Sequence, residues 1–119
     1  MRAVRDPIAI ARVRWRSPDG GGRTKPPPGP SFAATAVFKH GGDEEVVPEW
    51  PAGGEHFSVL LEYPSGSNAE VTARVDFLAR NLVADEVREG AQFIIMEGPR
   101  PVADAEIVKA FPDRLKATR

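Results

Sequence analysis

The sequence predicts an all-β domain of antiparallel strands, a sandwich or a barrel. Three observations predict it. Several short segments alternate apolar and polar residues, the period of a half-buried strand. Twelve prolines and eleven glycines in 119 residues argue against long helices and for a loop-rich architecture. About six such segments follow one another at short spacing with turn signals between them. No internal repeat is visible.

The elements follow in order. In Ile8 to Arg16, Val13 and Trp15 alternate with Arg12, Arg14 and Arg16. Ile8 and Ile10 stand in the other phase, which places a bulge near Ala11. Residues 17–31, SPDGGGRTKPPPGPS, form a long loop whose proline run denies a strand ladder its donors. Phe32 to Lys39 is a second strand with Phe32, Ala34, Ala36 and Phe38 on one face. Residues 40–56 are polar and acidic, broken by Pro48 and Pro51, and form a loop or excursion. Phe57, Val59, Leu61 and Tyr63 alternate in a third strand. Residues 64–68, PSGSN, are a turn, and Val71, Ala73, Val75 and Phe77 alternate in a fourth strand. Residues 78–90 are ambiguous, with room for one helical turn. The last hairpin is the clearest feature. A buried run, Phe93 to Met96, meets a tight turn holding Gly98 and Pro99, and a loosely alternating run follows from Val102 to Val108. Residues 111–119 are a tail with a weak helical preference. The whole chain is expected to be one domain with its core over about residues 8–110, large enough to bury roughly two-thirds of its chain surface.

Apolar content of 41% and charged content of 28% are ordinary for a soluble globular protein. The chain has no cysteine, so it has no disulfide framework, thiol nucleophile or cysteine-based zinc site, and a reducing cytoplasm fits. No apolar run is long enough to span a bilayer, and no secretory signal is visible. The net charge of −1 is unevenly spread. Residues 1–25 are basic, and residues 41–56 carry five carboxylates with no Lys or Arg. Such asymmetry can steer an acidic partner, or can be two solvated faces that pair with each other or with water.

Several blocks occur in the order found in the C-terminal barrel of the elongation factor Tu family. Ala11 to Arg16 followed by Ser17-Pro18-Asp19-Gly20-Gly21-Gly22-Arg23-Thr24 resembles a strand, an acidic-Gly-Gly-Arg stretch and a threonine of that barrel. Gly29-Pro30-Ser31-Phe32 is loosely similar to its Gly-Tyr-Arg-Pro-Gln-Phe stretch. Pro64 to Asn68 resembles its Pro-Gly-Asp-Asn turn, and Arg88 to Ile95 with Glu97-Gly98-Pro99-Arg100 resembles its last hairpin. The similarity runs over roughly residues 9–108. It implies a single six-stranded, Greek-key-like antiparallel barrel. The family's GTPase domain has no counterpart here, and Gly20 to Lys25 lacks the phosphate-loop pattern, with Pro26 blocking the helix that would follow. The chain alone is therefore expected to bind no nucleotide and to catalyse nothing. The Arg and Gln of the family's docking stretch are missing, and residues 39–55 look like an insertion without a family counterpart.

The candidate residues each carry two readings. Arg12, Arg14 and Arg16 share one face of a regular strand, about 7 Å apart. They can contact an RNA backbone, or line an outward face with their stems over apolar surface. Gly20 to Gly22 can let backbone N–H groups approach an anion, or form a plain loop. The resemblance marks Arg23 and Arg100 as RNA contacts, since the matching turns in the family lie near the T-stem of aminoacyl-tRNA. Trp15 is core or a stacking partner for the arginines. Trp50, between Glu49 and Pro51, is a protein-binding anchor or a cap on one barrel end. His40 and His56 bracket the acidic loop, but their spacing fits no metal signature, and no metal or other cofactor is expected. Nothing resembles a nucleophile elbow, and Asp85-Glu86 reads as solvated loop. The expectation is a non-catalytic, cytoplasmic interaction module that binds a protein partner, related to the translation machinery. The alternative is a tRNA-type RNA-binding module using the basic strand and turns.

Overall fold

A computed structural model describes residues 4, 6–17, 19, 27–64 and 69–116. Six strands form a closed antiparallel barrel: β1 (Ala9–Trp15), β2 (Ser31–Lys39), β3 (Phe57–Glu62), β4 (Glu70–Phe77), β5 (Gln92–Glu97) and β6 (Arg100–Ala110). A single helical turn, α1 (Arg80–Val83), lies between β4 and β5, and a short helix, α2 (Pro112–Lys116), follows β6. Among the described residues, no helix is long and apolar enough to cross a membrane.

The order around the barrel is β1-β4-β3-β2-β5-β6. Strands β2, β3 and β4 form a meander. Strand β1 reaches β2 by a long connection yet lies beside β4, and β5 returns to lie beside β2. These are two overlapping Greek keys. Because every pair is antiparallel, the connections sort between two ends. One end receives the β1–β2 connection, the β3–β4 turn and the β5–β6 turn. The other receives the segment before β1, the excursion 40–56, the β4–β5 connection and α2.

Alternation puts Ala9, Ala11, Val13 and Trp15 of β1 inside, and Ala73, Val75 and Phe77 of β4 inside. The ladder between β1 and β6 shifts register at Ile10/Ala11, but the extra residue is Val108 of β6; β1 keeps its phase from Ala9 to Trp15, so the bulge expected in β1 near Ala11 lies on its partner strand. A second shift at Ile95/Met96 leaves both Val102 and Ala103 buried and places Pro101 at an irregularity, where a ladder tolerates a missing donor. The β5–β6 turn has Gly98 at φ 59 ahead of Pro99, the sign pattern of a type II′ hairpin.

Aromatic side chains close both barrel ends. Trp15, Phe32 and Tyr63 meet at the turn end, with ring centroids 5.5 and 5.8 Å apart. Phe38, Phe57, Phe77 and Phe93 meet at the other, with centroids 5.3–6.0 Å apart. Small residues, Ala11, Ala36, Ala73 and Ala103, all fully buried, share the interior with these rings and with larger aliphatic side chains. At the second end Arg80 acts as a clamp. Its guanidinium meets both oxygens of Asp76 at 2.9 and 3.0 Å and donates to the carbonyls of Asp6 (2.9 Å) and Arg114 (3.3 Å), tying the N-terminal segment and α2 to β4.

Candidate functional site

The arginines predicted to face outward do so, and the barrel register decides what they meet. Arg14 lies between Glu70 of β4 and Asp104 of β6, and Arg12 lies opposite Glu106. Arg12 approaches Glu70 at 3.5 Å and Glu106 at 3.9 Å, and Arg14 approaches Glu70 at 3.5 Å. Arg16 binds both oxygens of Asp104, at 2.8 and 2.9 Å. That fork holds the Asp104 carboxyl below its usual range and raises Arg16 further. Three arginines thus face three carboxylates along the wall. A shallow groove of about 330 Å³ crosses this wall, with Arg12, Arg14 and Lys39 set against Asp104 and Glu106. Arg100 sits 3.9 Å from Glu97 across the hairpin turn, at the far end of the barrel from the acidic excursion. Arg23 and the Gly20–Gly22 stretch lie outside the described residues, as does most of the turn at 64–68.

Among the described residues, the basic strand and the acidic excursion do not pair with each other. The basic strand is matched by β4 and β6, and the excursion 40–56 is left with its own charge. This excursion folds back on the barrel. Asp43–Val46 makes a 3₁₀ turn. Glu45 caps the entry, its Oε2 accepting the backbone N–H of His40 and, at 2.8 Å, that of Gly41. Trp50 then packs on the outer wall against Val37, Ile94 and Met96. Val37 and Ile94 are cross-strand partners, so the indole roofs the seam between β2 and β5. That explains why Phe93 to Met96 is a continuous apolar run. Phe93 and Ile95 face the barrel interior, and Ile94 and Met96 face Trp50. Gly54 passes so close that a Cβ there would stand 3.0 Å from Val37 and 3.2 Å from the Trp50 indole nitrogen. Trp50 is a half-buried roof on the side of the barrel, not a freely exposed anchor.

Between the excursion and the β4–β5 connection lies a cleft of about 320 Å³. Its floor is Val37 with Phe38 and Phe57 of the aromatic plug, and Trp50 with Gly53 and Gly54 forms one wall. Four carboxylates line it: Glu44, Glu49, Glu55 and Glu86. His40 closes one side, its Nε2 2.7 Å from Glu86 and its Nδ1 3.8 Å from Glu44. The hydrogen bond to Glu86, with the added field of Glu44 and Glu45, raises the His40 pKa above its ordinary value despite some desolvation. Glu86, which the sequence reads as solvated loop, is thus a structural partner. Glu49 and Glu55 have no side-chain partner among the described residues.

The two histidines part company. His40 has Glu44 and Glu45 within reach, ligand atoms lying within 4.8 Å of one another, but Glu45 is already bonded to backbone and His40 to Glu86. His56 turns away. Its Nε2 donates to the Ala52 carbonyl at 2.9 Å and its Nδ1 meets the Thr35 hydroxyl at 3.1 Å, a bond that fastens the exit of the excursion to β2.

The cleft escapes a reading of the sequence because His40 and Glu86 stand 46 residues apart and Trp50 meets Ile94 only once β2 and β5 pair. The one local signal was the run of carboxylates without a cation. No family model matches the chain, and no curated protein matches it.

Proposed function

We propose that this protein is a non-catalytic interaction module, built on a barrel resembling the C-terminal domain of elongation factor Tu, that binds a protein partner with its cleft-bearing end. One observation carries this. The exposed large hydrophobic residues among those described are Val46, Val47, Leu78, Leu82 and Val108. Val46 and Val47 lie on the excursion, Leu78 and Leu82 on the β4–β5 connection, and Val108 near the end of β6 that enters the same barrel end. Scattered exposed aliphatics are ordinary, but their placement on the segments of one barrel end, with Val47 lining the cleft there, is the pattern of an association surface. The link to translation rests on the sequence resemblance, and that to the cytoplasm on the absence of cysteine.

RNA binding through Arg12, Arg14, Arg16, Arg23 and Arg100 has less support, because the first three meet carboxylates that would have to be displaced by phosphate. The test is affinity capture of partners by the wild-type chain, by Leu78→Glu/Leu82→Glu and by Arg12→Ala/Arg14→Ala. The expected result is a stoichiometric protein partner lost from the first variant and kept by the second. A partner, protein or RNA, lost only from the arginine variant would overturn the proposal.

A further inference from the structure

We infer that the cleft receives the guanidinium of an arginine presented by the protein partner. The inference rests on the interaction-module reading and names the chemistry of its central contact. The volume of about 320 Å³ is at the small end of ligand sites, fit for one side chain and its neighbours. Its lining asks for a cation. Glu44, Glu49, Glu55 and Glu86 face it, and no Lys or Arg is among its described lining residues. His40 offsets part of Glu86 and Glu44, but Glu49 and Glu55 are unmatched among the described residues. Like charges held around a low-dielectric floor of Phe38 and Phe57 focus a negative potential into the cleft.

The aromatic wall selects among cations. A planar guanidinium is weakly hydrated, stacks on an indole face, and still offers donors at its edge to two carboxylates. An ammonium is more strongly hydrated and cannot do both in one plane. The partner segment therefore carries an arginine, with an apolar flank that meets Val47 at the cleft.

The experiment is an NMR titration of the ¹⁵N-labelled full chain at low salt. The probes are blocked peptides with a central arginine between glycines, the lysine and citrulline counterparts, and spermidine. The Trp50 indole N–H and the Gly53 and Gly54 amides report on the cleft, and the buried Trp15 indole is the internal control. The arginine peptide is expected to move the cleft signals saturably and leave Trp15 in place. Citrulline, which keeps the shape and loses the charge, should leave them still. Glu49→Gln/Glu55→Gln should weaken the arginine peptide by about five-fold or more, the scale of an exposed charge pair, with an unchanged melting midpoint. Equal shifts with citrulline, equal affinity for spermidine, or no saturable shift would overturn the inference. Should that happen while Leu78→Glu/Leu82→Glu still loses its captured protein, the arginine contact alone falls. If the same variant keeps every partner, the module reading falls with it.

Discussion

Replacing Trp50 by alanine tests whether the excursion is truly docked on the barrel. Val37, Ile94 and Met96 point away from the barrel interior, yet they are 2%, 3% and 0% exposed. Such burial on an outer wall needs a roof, and Trp50 is the large side chain packed there. Truncating a fully buried aromatic residue to alanine costs about 3–5 kcal/mol. Trp50 is half-buried, so the expected loss is about 2 kcal/mol. For a domain of this length each kcal/mol moves the melting midpoint by about 4 °C, so the midpoint should fall by about 8 °C. Trp50→Phe keeps part of the roof and should fall by about half as much. Thermal unfolding followed by circular dichroism reads both. A drop within about 2 °C for Trp50→Ala, the range of an ordinary surface substitution, would refute the docking and with it the cleft wall. The same reasoning makes Trp50→Ala a poor probe of binding, since it perturbs stability first, and favours Glu49 and Glu55 as cleft probes.

Three further outcomes are expected. Arg80→Lys keeps the charge but loses the planar fork that spans Asp76 and two backbone carbonyls; it should cost about 1.5–3 kcal/mol in urea unfolding and increase exchange of the α2 amides. Asp104 has its carboxyl pKa lowered by Arg16, so its contribution is present above the unfolded value of about 3.9 and is lost as pH falls through the folded value. The deficit of Asp104→Asn should stay below about 1 kcal/mol at neutral pH, because the pair is partly solvent-screened, and shrink towards pH of about 3. His40 has its pKa raised by Glu86, with Glu44 and Glu45 assisting, so its contribution is full below about 6.5 and is lost as pH rises through the folded value. His40→Gln should therefore be more destabilising near pH 6 than near pH 9, and a constant difference across that window would contradict the tie to Glu86.

The barrel was legible because β1 and β4 carry a clear two-residue period over a closed interior, and the other strands keep enough apolar density between turn signals to be placed beside them. Val13 and Trp15, or Ala73, Val75 and Phe77, have one burial solution, and a one-residue slip would bury arginines. The register shift near Ala11 was legible in place but not in origin, since β1 keeps its phase through Ile10 and the extra residue is Val108 of β6. The site was far less so. That Arg14 sits between Glu70 and Asp104 follows from the register of three strands distant in sequence, which no local pattern encodes. Trp50 was legible as unusual but not as a roof, because its partners come from β2 and β5 and its loop is polar on both sides. His40 and Glu86 look like solvated residues until the two connections at one barrel end are brought together by the crossing topology. Elements set by period were readable; contacts set by closure were not.

The central claim is that the cleft-bearing end is the working surface, and hydrogen–deuterium exchange on the chain with and without its captured partner tests it most directly. The predicted result is added protection over residues 40–56 and 78–91, with β1 and the turn at Gly98 and Pro99 unchanged. Protection confined to β1 and that turn, with the excursion and the β4–β5 connection exchanging as in the free chain, would contradict it and return the function to the basic wall.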